Sequence, residues 1–326
     1  MAAHRAHCPP GRRPGGTTYE VVERPLNETH SSRYATAGAF RSALTARLRE
    51  VAKDGRWTLH DLQRQFAYDR LLERLYLVDQ GWIVKGATAL LARELGVRGT
   101  TDIDLLRLVE PAQAEIELRR AAALLLSDWF TFEVGSATPV ADGVTGLRLP
   151  ITARIGATSW SEFHVDIVGL GVTMTGVIEI VPALARVMIP DVTQPPYQVY
   201  PLVDHVADKL AAMYELHGPS LRPSTRFKDL VDLVAIVTQA SITATDQRRA
   251  VESEFARRTL EVPDRLVVPD RELWVRGYQR EVERSFLDVA VELDDALDIV
   301  GRFANPVFSS TARGVWMPDR LAWVGE

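Results

Sequence analysis

Residues 82–106 read WIVKGATALLARELGVRGTTDIDLL, and their order decides the fold. Trp82-Ile83-Val84 is an apolar, β-favouring run that fits a short buried strand. It ends at Lys85-Gly86, where a glycine lets the backbone approach a ligand with no side chain in the way. Ala87-Thr88 turns into a helix expected over Ala89 to Leu95 and stopped at Gly96. The free N–H groups at the start of such a helix favour a phosphate. The chain then returns as a strand expected over Asp102 to Leu108. Alternation along a strand puts Asp102 and Asp104 on one face and Ile103 and Leu105 on the other. Two carboxylates that close repel unless a cation sits between them. Hard oxygen ligands on a rigid strand suit Mg²⁺ held together with substrate phosphates.

Phosphoryl chemistry with two metal ions usually takes a third carboxylate. Glu162-Phe163-His164-Val165-Asp166-Ile167-Val168 supplies one, because an aspartate in the middle of a β-branched strand is out of character. Lying beside the first strand, Asp166 would complete a metal-ligating triad and help activate an attacking hydroxyl. His164 and Val168 share its parity, so His164 is either a satisfied structural histidine, the reading preferred, or a residue near the site. Each piece alone is ordinary: Asp-x-Asp is often a solvated strand face, and Gly-x-Thr before a helix is common capping. The ordered set of strand, Lys-Gly turn, helix, Asp-x-Asp strand and a later strand with an isolated aspartate points to chemistry.

Outward from this stretch, residues 1–30 are rich in Gly, Pro and Arg and read as a flexible leader. Helices are expected over Ala35 to Lys53 and Leu59 to Val78. Downstream come a helix from Pro111 to Leu126, strands at Phe130 to Val134, Gly146 to Ile155 and Glu162 to Val168, and another near Val177 to Ile180. Beyond Pro195-Pro196 the pattern turns helical: Tyr200 to Leu216, Arg226 to Gln239, Thr243 to Arg258 and Phe286 to Phe303. The fold class is therefore α+β, a mixed sheet with flanking helices followed by a mainly helical C-terminal domain. The expected divisions are a leader (1–30), a sheet-bearing domain (31–198) and a helical domain (199–326).

In the helical part, Lys209 lies near one edge of the stripe Leu202, Val206, Leu210, Met213, either as a snorkelling surface lysine or as a charge that reaches a triphosphate. Asp229 and Asp232, three apart, share a helix face that can orient Lys209, read a base or ribose, meet solvent, or form a structural salt bridge with Arg226. Lys85 either contacts phosphate or ends its strand.

Composition bounds the partners. The 326 residues carry a net charge of −5 and a pI near 5.9, which excludes a dedicated non-specific nucleic-acid coat. RNA would have to meet a local patch, with candidates Arg93, Arg98 and Arg107 near the paired aspartates and Arg222, Arg226 and Lys228 on the helical part. There are four lysines, and three of them (Lys85, Lys209, Lys228) fall in the motifs. The one cysteine, Cys8, rules out a disulfide within the chain and makes cysteine-ligated zinc improbable. No apolar run reaches the ~18 residues of a membrane span. The N-terminus lacks the apolar core of a secretory signal, so the expected compartment is the cytoplasm with no membrane partner.

On these residues the chain resembles the DNA polymerase β nucleotidyltransferase superfamily, and in detail its AbiEii/AbiGii toxin family, which includes the MenT toxins. Four runs carry the likeness, in the family's order: Lys85-Gly86-Ala87-Thr88-Ala89-Leu90; Arg98-Gly99-Thr100-Thr101-Asp102-Ile103-Asp104; Lys209 within Val206-Ala207-Asp208-Lys209-Leu210; and Arg226-Phe227-Lys228-Asp229-Leu230-Val231-Asp232-Leu233. The resemblance covers roughly residues 35–240. Ala87 departs from the glycine or serine usual in the family; its backbone N–H is retained, and Thr88 is the expected substitute for the hydroxyl. The resemblance implies a polymerase β-like nucleotidyltransferase fold and a toxin that moves NMP from an NTP with Mg²⁺, or Mn²⁺ in its place. Asp102, Asp104 and Asp166 would hold metal. Lys209 and Asp229 would join them in catalysis, and Lys85, Gly86, Ala87, Thr88, Lys209 and Asp232 would bind nucleotide. It further implies a cognate antitoxin protein and, as acceptor, the 3′ end of tRNA, whose modification blocks translation. Two other readings stay open: a nucleotidyltransferase that modifies a protein or small molecule, and a nucleotide-binding, kinase-like regulator.

Overall fold

The computed structural model describes residues 33–140, 145–185, 187–218 and 220–325. The leader expected over residues 1–30, with Cys8, lies outside the described residues. Two helices come first, α1 (Ala37–Asp54) and α2 (Leu59–Val78). Both begin on threonine: Thr36 Oγ accepts from the Ala39 N–H, and Thr58 with Asp61 forms a reciprocal capping box. The decisive stretch follows as β1 (Ile83–Lys85), α3 (Gly86–Ala92) and β2 (Asp102–Leu106). Then come α4 (Pro111–Ala122), β3 (Phe130–Val134), β4 (Thr138–Pro139), β5 (Gly146–Ile155), β6 (Thr158–Val168), β7 (Glu179–Val181) and β8 (Tyr197–Val199).

These strands form one mixed sheet in the order β3-β5-β6-β2-β1-β8-β7, with β4 on β5. Its centre is parallel at β2/β6 and β1/β8, and antiparallel at β1/β2 and β5/β6. One face is apolar. Val84, Ile103, Leu105, Leu149, Val165 and Ile167 point into a core shared with Phe40, Leu44, Phe66, Leu71 and Leu75 of α1 and α2. Arg74 of α2 is wholly buried and forks onto Asp128 at 2.8 Å on both oxygens, which fixes α2 against the α4–β3 connection. The other face of β1, β2 and β6 carries the charged residues.

The rest of the chain is α5 (Leu202–Ala212), β9 (Leu216–His217), β10 (Arg222–Pro223), α6 (Phe227–Gln239), β11 (Ile242–Thr243), α7 (Ala244–Arg257), α8 (Arg271–Glu283), α9 (Leu293–Phe308), β12 (Val315–Met317) and β13 (Ala322–Val324). The helices share a second apolar core, built on Val206, Leu210, Leu230, Leu233, Trp274, Phe303 and Trp316 and joined by Leu90 and Val97 from the α3 side. The α+β class is as expected. Three local differences stand out. Helix α3 starts at Gly86 itself and ends at Ala92, earlier than read. Helix α8 and the three-stranded sheet β11-β12-β13 were not anticipated. The last helix begins at Leu293, not Phe286. No helix among the described residues is long and apolar enough to cross a membrane.

Candidate active site

Strand register builds the site. Lys85 pairs with Asp104, Asp104 with Asp166, and Asp166 with Arg148. Four side chains from β1, β2, β6 and β5 thus stand in one row across the sheet, cation–anion–anion–cation, with neighbouring strands ~4.8 Å apart. In the same register Asp102 pairs with His164. Lys85, Asp104 and Asp166 of this row, with Asp102, floor a cavity of about 340 Å³ whose walls include Gly86, Ala87, Lys209, Asp229, Arg226 and Lys228.

The two central carboxylates are in tension. Burial lifts Asp104 above the usual carboxylate range, with Asp102 adding to the rise and Lys85, Lys209 and Arg98 opposing it. Burial and then the charge of Asp104 lift Asp166 to about 6, against the pull of Arg148. Arg148 Nη2 donates to Asp102 Oδ1 at 2.8 Å, and its Nη1 stands 3.5 Å from Asp166 Oδ2. His164 Nδ1 lies 3.2 Å from the same Asp102 oxygen. Asp166 Oδ1 is buried and has no hydrogen-bond partner among the described residues. Gly86 sits at φ +58°, and a Cβ built there would overlap the Asp104 carboxylate. The absent side chain is what seats Asp104.

The helical half supplies the facing wall. Lys209 is buried, and its Nζ donates to Asp229 Oδ1 and Asp232 Oδ2, both at 2.7 Å. Asp232 also accepts both prongs of Arg98, at 2.9 and 2.8 Å. Burial works against each charge, but pairing wins: Asp229 and Asp232 raise Lys209 to about 12, and Lys209 with Arg98 hold Asp232 at about 2. Further along the cavity, Lys85 Nζ lies 4.2 Å over the Tyr200 ring. Asp208 is bound by Arg258, which also meets Glu215 and Glu254. Burial would raise Asp208, yet Lys85 and Arg258 hold it far below the usual range. Burial, helped by Lys209, keeps His205 neutral.

Lys85, Gly86, Ala87, Asp102, Asp104, Asp166, Lys209 and Asp229 therefore share one cavity, with Asp232 behind Lys209. Thr88 corrects an expectation. It is wholly buried, and its hydroxyl donates to the Asp102 carbonyl at 3.2 Å, so it fastens α3 to β2 and does not face a phosphate. His164 also differs from its reading: nearly half its side chain is exposed, and it addresses Asp102 rather than a core. The inner arginines do not form a free RNA-facing patch. Arg93 is tied to Glu179 and the Tyr200 carbonyl, Arg98 to Asp232, and Arg107 to Asp79 and Glu117. Arg222, Arg226 and Lys228 are exposed, and the last two line the cavity. Arg148, His205, Asp208, Arg257 and Arg258 were missed. Asp208 had a signal, since it precedes Lys209 in the same motif; Arg148 had none, because only the β5/β6 register aims it.

Among the described residues no group of three or more His, Cys, Asp or Glu side chains already forms a metal cage. The donor chemistry nonetheless fits a divalent cation: hard oxygens on adjacent strands, mutual repulsion between Asp104 and Asp166, and the orphaned Asp166 Oδ1.

Residues 70–300 match a family model described as "Nucleotidyl transferase AbiEii toxin, Type IV TA system". No curated protein matches the chain. Among solved structures, MenT4, a nucleotidyltransferase toxin from Mycobacterium tuberculosis H37Rv, is similar at 17% identity and a TM-score of 0.47, covering 82% of this chain and 98% of that one. JHP933 from Helicobacter pylori is similar at 14% identity and a TM-score of 0.43, covering 76% of this chain and 93% of the other.

Proposed function

Since the chain belongs to the nucleotidyl transferase AbiEii toxin family of type IV toxin–antitoxin systems, we propose that it transfers NMP from an NTP to the 3′ end of tRNA and so blocks translation. It would act in the cytoplasm and be neutralised by a cognate antitoxin. One observation carries the chemical part: the register that sets Asp104 beside Asp166 on the floor of a cavity walled by cations. The tRNA acceptor rests on the family resemblance and on the exposed Arg222, Arg226 and Lys228 at the cavity's rim and beyond.

Each residue then has a task. Asp166 accepts the proton of the attacking hydroxyl at Oδ1, which has no hydrogen-bond partner among the described residues. The hydroxyl attacks the α-phosphate in line, and pyrophosphate leaves. Lys209, oriented by Asp229 and Asp232, holds positive charge at the wall, and Lys85 holds it at the floor. The Gly86-Ala87 backbone gives the phosphates close approach. Mg²⁺, or Mn²⁺ in its place, held by Asp102, Asp104 and Asp166, would neutralise charge on the triphosphate as it breaks. Residues 31–198 would form the nucleotidyltransferase domain and 199–326 the helical domain that lends Lys209, Asp229 and Asp232.

The test is incubation with each NTP labelled at the α- or γ-phosphate, with tRNA and protein fractions present. Label from the α-phosphate on tRNA 3′ ends, lost in Asp104→Ala, is the expected result. α-Label on a protein or small molecule would replace the acceptor, and label from the γ-phosphate alone would replace the chemistry.

A further inference from the structure

The carboxylates assigned to metal share their oxygens with an arginine that no motif announced. The β5/β6 pairing sets Arg148 opposite Asp166. From there its guanidinium donates to Asp102 Oδ1 at 2.8 Å and stands 3.5 Å from Asp166 Oδ2. Among the described residues these two are its carboxylate partners. We propose that Arg148 and a divalent cation compete for Asp102 and Asp166, so that this arginine sets how tightly the protein holds metal. The inference rests on the metal-dependent reading above and adds a residue to it.

Three observations argue for competition. First, a guanidinium and a divalent cation are like charges and cannot be bound closely by the same carboxylate oxygens without strong repulsion. Second, Arg148 is free to leave. Its side chain is 41% exposed, whereas Lys209, locked between two aspartates, is 6% exposed. Third, the pairing offsets a real cost, because Asp102, Asp104 and Asp166 repel one another across β2 and β6. Removing Arg148 takes away the cation that touches Asp102 and Asp166, and leaves more of that repulsion for the metal to relieve. One arrangement would defeat the proposal: a cation seated on Asp166 Oδ1, which has no partner, with Arg148 left in place.

The experiment titrates Mn²⁺ into the full chain without nucleotide, following free Mn²⁺ by electron paramagnetic resonance, with thermal melts in parallel. Arg148→Gln should bind Mn²⁺ about tenfold more tightly than the wild type, the equivalent of one lost charge-assisted hydrogen bond. Without metal it should melt lower, and it should gain more from added Mn²⁺. Arg148→Lys keeps the charge but loses the fork, and should fall between them. Equal or weaker binding by Arg148→Gln, with no larger thermal gain, overturns the competition and leaves the metal site standing. Failure of both proteins to bind Mn²⁺, both alone and with an NTP present, overturns the metal site and the competition together.

Discussion

A single methyl group at residue 86 would do damage of two kinds. Gly86 holds φ +58°, where any side chain strains the backbone by roughly 1–2 kcal/mol. The same methyl would push on the Asp104 carboxylate. Gly86→Ala should therefore lose modestly in a denaturant melt but at least about 100-fold in label transfer, because displacement of a reacting group by ~1 Å costs that much. Near-normal transfer by this variant would separate the turn from the chemistry. At this scale the sequence speaks clearly where one period suffices. Asp102 and Asp104 share a face because strands alternate, and Gly86 announces a close approach. It is silent where a second element decides. Arg98 reads as a basic residue near the site, but α6 brings Asp232 to it and consumes its charge. Thr88 reads as a hydroxyl for phosphate, but β2 lies behind it and takes the hydrogen bond.

Helix α8 shows the same limit for a whole element. Arg271–Glu283 is crowded with charge, buries only Trp274, Gly277 and Tyr278, and carries a glycine at its centre. Charged composition with an internal glycine weakens the helical pattern in the sequence. The structure explains the glycine: the Phe227 ring, at the start of α6, occupies the space a Cβ would fill. Gly277→Ala is thus a test of packing against propensity. Alanine favours an isolated helix by ~1 kcal/mol, while overpacking a tight contact costs ~1–3 kcal/mol. The net effect expected in urea melts is a small destabilisation; a stabilised variant would mean that α6 and α8 yield freely. Elements with a full apolar stripe or a good cap were legible for the opposite reason. Helix α2 runs over the expected residues, and its Thr58-Asp61 box marks its start. The β2/β6 adjacency enters the sequence reading only as a condition, since parallel pairing of distant strands leaves no local trace.

At the scale of the molecule, Lys209, Asp232 and Arg98 tie the sheet to the helices, and their titration sets a window of stability. Asp232 is held at about 2, below its ordinary 3.8, so its contribution is full above 3.8 and fades as pH falls toward 2. Lys209 is raised from 10.5 to about 12, so its contribution is full below 10.5 and fades as pH rises through 12. The stability gap between wild type and Asp232→Asn should hold steady from neutral pH to about 4 and then narrow, as read by urea unfolding at each pH. A gap independent of acidity would dissolve the linkage. With a net charge of −5, the protein repels RNA at long range, so the proposed tRNA acceptor would have to be held by a local cluster. The inner arginines are paired; Arg222 and Arg226 are exposed, one on the β9/β10 hairpin and one at the start of α6. Each phosphate contact contributes about one unit to the slope of log affinity against log salt. With tRNA as the proposed acceptor, reversing both charges should weaken its modification most at low salt and flatten that slope by roughly 2. Arg222 lies outside the cavity lining, so Arg222→Glu alone should change the KM for tRNA and leave the KM for NTP as it was. A double variant whose activity matches the wild type at every salt concentration would remove this surface from RNA binding.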